Sequence, residues 1–151
     1  MRMKTFSLRV PVNYDLSLAE AVRRGAPQTV KNSDIYTIAG REHSPTKHKA
    51  VENVIIVEFG RTMVSRQVIE YARNGDLSPA DILTLLAVGE NFPDLPNSRR
   101  RPFMDLVTMR VLKRNGWRAP HLAYLDGSRC IDLGWYASPW DSGFSFVFKK
   151  P

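Results

Sequence analysis

The feature that most constrains the fold of this chain is a pair of alternating apolar runs that meet at Asp126-Gly127. An Asp-Gly dipeptide supplies the positive φ angles that a two-residue hairpin turn needs. On both sides of it the apolar residues occupy every second position: Leu122, Tyr124, Ile131, Leu133 and Trp135. This period is typical of strands with one buried face, so the sequence predicts a β-hairpin within residues 116–150.

Other strands are predicted by the same period and by β-branched runs. Residues Lys4 to Val12 alternate apolar with polar positions, which predicts a half-buried first strand. The run Val54 to Val57 is continuously apolar and β-branched, which favours a central strand buried on both faces. The remaining predicted strands cover about 106–112, 119–125, 129–135 and 144–148, and the last carries Phe144, Phe146 and Phe148 on one core-facing side.

Three short helices are predicted from their start and stop signals. Ser17 followed by Glu20 forms a capping box, and the helix should end at Gly25 in a left-handed cap. Ser65 is predicted to cap the second helix, which ends at Asn74-Gly75. Ser78-Pro79 is predicted to start the third, because proline is favoured at the first helical position.

The order of these elements predicts an α+β fold with a mostly antiparallel sheet. Its N-terminal strand is expected to pair with the C-terminal strands, and two to three short helices are expected to pack on it. The third helix should be the best buried, since it carries a dense apolar run: Ile82, Leu83, Leu85, Leu86 and Val88. With 151 residues, the chain is expected to form one domain over 1–151.

Composition bounds the class of protein. At 43% hydrophobic and 25% charged residues the chain is typical of globular domains, and its apolar runs are too short to span a bilayer. Residues Met1 to Val12 lack the continuous apolar stretch of a secretory signal. The single cysteine, Cys130, cannot form an internal disulfide. We therefore expect a cytoplasmic protein without a membrane partner.

Positive charge is concentrated in residues 91–118, which we call the basic stretch. The whole chain carries a net charge of +7, and this stretch holds seven basic residues against two acidic ones, a net +5. Such a field attracts phosphates and acidic surfaces. The sequence therefore predicts a polyanionic partner, either nucleic acid or an acidic protein, and the predicted contacts are Arg99, Arg100, Arg101, Arg110, Lys113, Arg114 and Arg118.

Aromatic residues near the basic stretch have two interpretations. One is a stacking platform for bases or sugars, built from Trp117, Trp135, Trp140, Tyr124 and Tyr136. The other, which the sequence favours, is that the tryptophans form the sheet core with the phenylalanines. Trp140 is the expected exception, because it lies between Pro139 and Asp141 in a predicted loop. We therefore add Trp140 to the predicted binding residues.

Catalytic and metal-binding patterns are weaker. His43 and His48 have no carboxylate or cysteine pair at ligand-like spacing, so no metal is predicted. Glycine-rich phosphate loops are absent from the sequence, and no cofactor is predicted. His121, Cys130 and Asp132 lie close enough to suggest a hydrolase or transferase pocket beside the hairpin.

Three hypotheses therefore remain from the residues alone. The first, a non-enzymatic binding protein for a polyanion, is preferred because a strand cysteine is commonly inert and nothing nearby offers an oxyanion site. The second is the enzyme just described. The third is a homo-oligomer assembled through the aromatic sheet face.

Short motifs recur across most of the chain in an order that resembles a group of small uncharacterised bacterial proteins. They are Asn32-Ser33-Asp34-Ile35, Phe59-Gly60-Arg61, Gly75, Ser78-Pro79-Ala80, Leu85-Leu86-Ala87, Phe92-Pro93-Asp94, Leu125-Asp126-Gly127, Ile131-Asp132-Leu133-x-Trp135, Trp140, Phe146 and Lys149-Lys150. The resemblance implies no activity, and the segment Arg99 to Pro102 departs from the pattern.

A weaker resemblance is to C-type lectin-like and formylglycine-generating-enzyme-like folds. It covers Leu77 to Leu86 and Gly143 to Lys149. The catalytic cysteine pair of the enzymes and the clustered calcium-binding carboxylates of the lectins are missing from the sequence. This resemblance therefore implies a fold and neither activity.

Overall fold

The computed structural model describes residues 3–28, 34–37, 49–95, 105–110, 112–113, 116–125 and 127–151, with only the backbone of residue 125. Several predicted positions lie outside the described residues: His43, His48, Arg99, Arg100, Arg101 and Arg114. No helix in the described ranges has both the length and the apolar character needed to cross a membrane.

Eight strands are described and belong to one sheet. Their bounds are β1 Lys4–Asn13, β2 Lys49–Glu58, β3 Ser78–Pro79, β4 Asp105–Val107, β5 Leu112–Lys113, β6 Trp117–Leu125, β7 Ser128–Trp135 and β8 Phe144–Lys149. β1 pairs antiparallel with β2, and β2 pairs antiparallel with β8. β4 runs parallel to β8 and antiparallel to β6, and β6 forms a hairpin with β7.

The helices lie on both faces of this sheet. Their bounds are α1 Leu18–Gly25, α2 Ser65–Asn74 and α3 Ile82–Asn91, and residues 34–37 form one helical turn. α1 and α3 share one hydrophobic core with part of the sheet, and α2 contributes to the second core. The predicted α+β fold is confirmed, and the N-terminal strand joins the C-terminal strands in one sheet with β2 between β1 and β8.

β2 is the central strand that the sequence predicts. Val54 and Ile56 are fully buried in the core formed with α1 and α3. Val57 is fully buried in the core on the α2 side. The continuous apolar run therefore packs against a hydrophobic core on each face of the sheet, as expected for a strand covered on both sides.

The C-terminal hairpin and aromatic row are also confirmed. Leu125 lies opposite Ser128, and Gly127 has a φ of 87°, the positive value that a tight turn requires. In β8 the phenylalanine row packs on the α2 side of the sheet: Phe144, Phe146 and Phe148.

The strand predicted at 106–112 is divided into β4 and β5. Both lie along one side of β6, because β7 pairs with the other side at the same positions. Val107 lies opposite His121 and Leu112 opposite Arg118, so four residues of this side match only two of β6. The pairing along this side of β6 is therefore interrupted between β4 and β5. Pro120 has no N–H to pair here, although its carbonyl still accepts from the N–H of Thr108 at 3.0 Å.

The predicted start of the third helix is wrong. Ser78–Pro79 forms β3 and pairs with β8. α3 begins at Ile82, because an Asp81 carboxylate oxygen accepts the N–H of Thr84 at 2.8 Å and so caps the helix. The expected burial is confirmed, since every residue in 82–89 is buried.

The cap of α2 also differs from the prediction. Val64 is the capping residue, and its N–H donates to Oε1 of Gln67 at 3.1 Å. Ser65 is the first helical residue, and its hydroxyl has another role. It donates to the carbonyl of Tyr136 at 2.7 Å and accepts from the indole N–H of Trp140 at 2.9 Å.

Gly25 ends α1 as predicted, but not through a left-handed cap. Its φ is not among the positive glycine values of the described residues. A Cβ at Gly25 would lie 2.2 Å from the carbonyl oxygen of Leu86, and one at Gly89 would lie 2.5 Å from that of Gly25. The two glycines are required because the backbones of α1 and α3 touch.

Candidate functional site

The described cations of the basic stretch lie on β5, on β6 and just before β5. Lys113 lies opposite Trp117 on β5 and β6, and Arg118 lies opposite Trp135 on β6 and β7. We call these four residues the tryptophan end. Arg110 is exposed just before β5. The structure therefore places two predicted contacts, Lys113 and Arg118, against two tryptophans.

Both tryptophans of this end are half exposed, so the expectation that they belong to the core is wrong. Trp117 is 51% exposed and Trp135 is 47% exposed. Each is close to a cation: Nζ of Lys113 lies 5.5 Å from the ring centre of Trp117, and Cζ of Arg118 lies 3.7 Å from that of Trp135. At these distances the cations are attracted to the electron-rich ring faces.

Local backbone geometry holds the Trp135 ring in place. Gly116 has a φ of 119°, and a Cβ there would lie 3.0 Å from Cζ3 of Trp135. The glycine therefore permits both the turn into β6 and the close approach of the ring. Nη2 of Arg118 donates to the carbonyl of Leu133 at 3.3 Å, which fixes the guanidinium over the ring.

The two rings lie on opposite faces of the sheet. Side chains alternate along a strand and cross-strand partners share a face. Leu112 belongs to the α1 and α3 core and lies opposite Arg118, so Arg118 and Trp135 share that face. Lys113 and Trp117 lie on the α2 face. The tryptophan end thus carries one half-exposed ring and one cation on each side of the sheet, with Lys113 exposed and Arg118 half-buried.

The prediction that Trp140 is exposed is wrong. Trp140 is only 4% exposed, and its ring packs edge-on against Phe144 and Phe146. It also covers Gly134, where a Cβ would lie 2.5 Å from the indole. With its N–H bonded to Ser65, this side chain belongs to the core and cannot reach a ligand.

The predicted enzyme pocket is only partly assembled. Nε2 of His121 lies 3.9 Å from a carboxylate oxygen of Asp132, and the two residues are cross-strand partners. The side chain of Cys130 is fully buried and lies opposite Ala123. A nucleophilic thiol needs access to its substrate, and this one has none in the folded protein.

A polar cluster that no sequence motif predicts lies on the α1 and α3 face of the sheet. The hydroxyl of Tyr14 lies 3.0 Å from Glu52, 3.3 Å from Asp81 and 3.2 Å from Thr84. Nζ of Lys149 lies 3.3 Å from the Tyr14 hydroxyl, 3.1 Å from Asp81 and 3.5 Å from Glu52. These five residues form what we call the lysine cluster.

Charge states in the lysine cluster follow from burial and pairing. Burial is the main reason that the pKa of Tyr14 is raised to about 12. For Lys149, burial favours the neutral amine, but the charge of Asp81 and two hydrogen bonds outweigh it and raise the pKa. For Asp81, burial is likewise outweighed by the hydrogen bond from Thr84 and by the charge of Lys149, so its pKa is lowered.

The lysine cluster is a structural clamp. It borders a cavity of about 470 Å³ whose lining includes Arg110 and Lys150. However, the Lys149 ammonium already has three partners within 3.5 Å, one for each of its N–H groups. The cluster ties β1, β2, β8 and the start of α3 together and leaves no donor of Lys149 for a ligand.

Metal binding has no visible basis in the described ranges, where no group of three or more histidine, cysteine or acidic side chains is placed to hold an ion. Comparisons of the chain with protein-family models, with curated proteins and with solved structures found no match. The two resemblances drawn from sequence motifs therefore stay predictions.

Proposed function

We propose that this protein is a non-enzymatic binding protein that engages a polyanionic partner, nucleic acid or an acidic protein surface. The contact surface is the tryptophan end with Arg110, extended by the arginines outside the described residues: Arg99, Arg100, Arg101 and Arg114. The observation that carries this proposal is that Lys113 and Arg118 each lie against a half-exposed tryptophan at the same end of the sheet.

Of the cations of this surface, Arg110 and Lys113 are exposed to an outside partner, and Arg118 is half-buried. Within the described ranges, no carboxylate forms an ion pair with Arg110, Lys113 or Arg118. Exposed cations that form no ion pair attract anions over about 8 to 10 Å at ordinary ionic strength. This supports a role in recruiting a polyanion.

Asp105, an acidic residue of the basic stretch, interacts with groups inside the protein. Asp105 is only partly exposed, and its carboxylate accepts the N–H of Tyr124 at 3.4 Å. Burial lowers the pKa of Arg129, and the negative charge of Asp105 partly offsets this effect. Since this negative charge is used internally, it offsets the exposed positive charge only weakly.

Salt-dependent binding tests the proposal. We would measure fluorescence anisotropy with labelled DNA, RNA and polyglutamate across a salt series. Binding should weaken linearly in log salt, because each phosphate contact releases counterions. A double variant, Arg110→Glu with Lys113→Glu, should weaken binding and reduce the slope by about 1.4 to 1.8 for two lost contacts.

The matched control is Lys4→Glu with Arg9→Glu. Both residues are exposed on β1, the strand at the opposite edge of the sheet from β6 and β7, and the net charge changes by the same amount. This control should bind nearly as the parent does. No binding to any of the probes at low salt, or equal losses in the two double variants, would overturn the proposal.

A further inference from the structure

We infer that the polyanion is a single-stranded nucleic acid whose bases stack on Trp117 and Trp135. This inference rests on the proposed function and names the ligand class of the same surface. It is carried by the pairing of a half-exposed ring with a cation on each face of the sheet end.

The pairing of ring and cation matches the two parts of a nucleotide. A base offers a flat π-face to an exposed indole, and its phosphate offers a charge to Lys113 or Arg118. An acidic protein surface would supply charges for the cations, but carboxylates gain nothing from the electron-rich face of an indole. Two such pairs at one end of the sheet therefore favour nucleic acid over an acidic protein.

The position of the rings favours a single strand over a duplex. Trp117 immediately precedes Arg118, and Arg118 lies opposite Trp135, so the two rings arise from neighbouring positions on opposite faces. Bases inside a duplex are stacked on each other and present only their edges in the grooves. A flexible single strand can cross the sheet end and offer one unstacked base to each ring.

The ring of Trp135 is already oriented before a ligand arrives. Arg118 covers one of its faces at 3.7 Å, and Gly116 allows its edge to lie close to the backbone. A base stacking on this indole would therefore form a layered arrangement of base, ring and guanidinium. Because the ring is held, binding loses less side-chain entropy than it would with a mobile one.

The test compares a 12-nucleotide oligo(dT), the matching oligo(rU), a 12-base-pair duplex and polyglutamate at the same salt concentrations. The single strands should bind most tightly and should quench tryptophan fluorescence. Trp117→Ala and Trp135→Ala should each weaken single-strand binding about 5-fold to 150-fold, the range for losing one stacked base. The salt slope should stay unchanged, since no cation is removed.

Three further variants keep the result interpretable. Trp117→Phe and Trp135→Phe retain a ring and should restore much of the affinity, which separates stacking from damage to the fold. Tyr36→Ala removes another exposed aromatic, 41% exposed on the helical turn at 34–37, and should leave binding unchanged. Circular dichroism should match the parent in each variant.

The possible failures are distinguishable. If the duplex or polyglutamate binds as tightly as the single strands, or if both alanine variants bind normally while Arg110→Glu with Lys113→Glu does not, the stacking inference is wrong and the polyanion proposal stands. If none of the four probes binds at low salt, both are wrong.

Discussion

Arg118 holds its guanidinium carbon 3.7 Å from the centre of the Trp135 ring, and the two residues are direct cross-strand partners on β6 and β7. The guanidinium also donates to the carbonyl of Leu133. This contact combines a stacked cation with an exposed indole at the edge of the sheet. It is both the best-defined part of the proposed binding surface and a local stabilising interaction.

Removing this stacked cation should reduce stability. We expect Arg118→Ala to lower the free energy of unfolding by about 0.5 to 2 kcal/mol, the range for a cation on an indole face. Arg118→Lys should recover only part of this, because a lysine lacks the planar group that stacks. Urea denaturation followed by far-ultraviolet circular dichroism measures the effect. Lys113→Ala is the control and should cost less, since Lys113 is exposed and its Nζ is 5.5 Å from the Trp117 ring centre.

Breaking the lysine cluster should have a larger effect. Lys149→Met leaves the carboxylates of Glu52 and Asp81 near each other without their shared cation. Because Lys149 and its two carboxylate partners are only partly buried, we expect the free energy of unfolding to fall by about 1 to 3 kcal/mol, below the range for fully buried ion pairs. Lys150→Met, at the exposed neighbouring position, should change stability by less than about 0.5 kcal/mol. Equal effects in the two variants would contradict the stabilising role of Lys149 in the lysine cluster.

Acid should weaken the same clamp. The pKa of Asp81 is lowered in the folded protein, so its contribution is complete above the ordinary carboxyl pKa of 3.8 and is lost as the pH falls through the lower folded value. The parent should therefore lose more stability below about pH 4 than Asp81→Asn does. Urea midpoints measured at several pH values give the comparison, and parallel curves would argue against the predicted coupling.

Alkali should act through Tyr14. Its pKa is raised to about 12 from an ordinary value of 10.0, so its contribution is complete below pH 10 and is lost as the pH rises towards 12. Absorbance at about 295 nm, where tyrosinate absorbs, should include a late transition that disappears in Tyr14→Phe. If that variant has the same titration profile apart from its smaller amplitude, the predicted shift is wrong.

The contact between α1 and α3 should not tolerate a methyl group. In Gly25→Ala the new Cβ would meet the backbone of Leu86 at 2.2 Å, so we expect a loss of 3 kcal/mol or more, in the range of strong overpacking. Gly75→Ala is the control, because the nearest atom to its Cβ would be 3.6 Å away and its φ is −95°. Thermal unfolding should show a large fall for the first variant and little change for the second.

The fold was predictable where the signal is local. The Asp126-Gly127 turn and the buried strand at Val54 to Val57 could be predicted from neighbouring residues, because turn geometry and strand burial depend on only a few consecutive positions. Ser78-Pro79 shows the limit of such signals. Its sequence is typical of a helix start, but the two residues pair with β8, a strand about 70 positions later in the chain.

Exposure of the tryptophans was not predictable from local pattern. Trp140 lies in a loop yet is buried, because Ser65 and Phe144 provide a partner and a packing surface. Trp135 belongs to an alternating strand yet is exposed, since no helix among the described residues covers its end of the sheet. The lysine cluster was also hidden from the sequence, because Tyr14 and Lys149 meet across a separation of 135 residues.

The last strand of the chain, β8, is hydrogen bonded to three others: β2 on one side, and β3 and β4 on the other. It therefore joins the N-terminal pair, β1 and β2, to the strands that include β6 and β7. During synthesis the two halves of the sheet cannot be connected until residues 144–149 have left the ribosome. Until then β2 presents an apolar open edge, so we expect slow, late closure of the sheet.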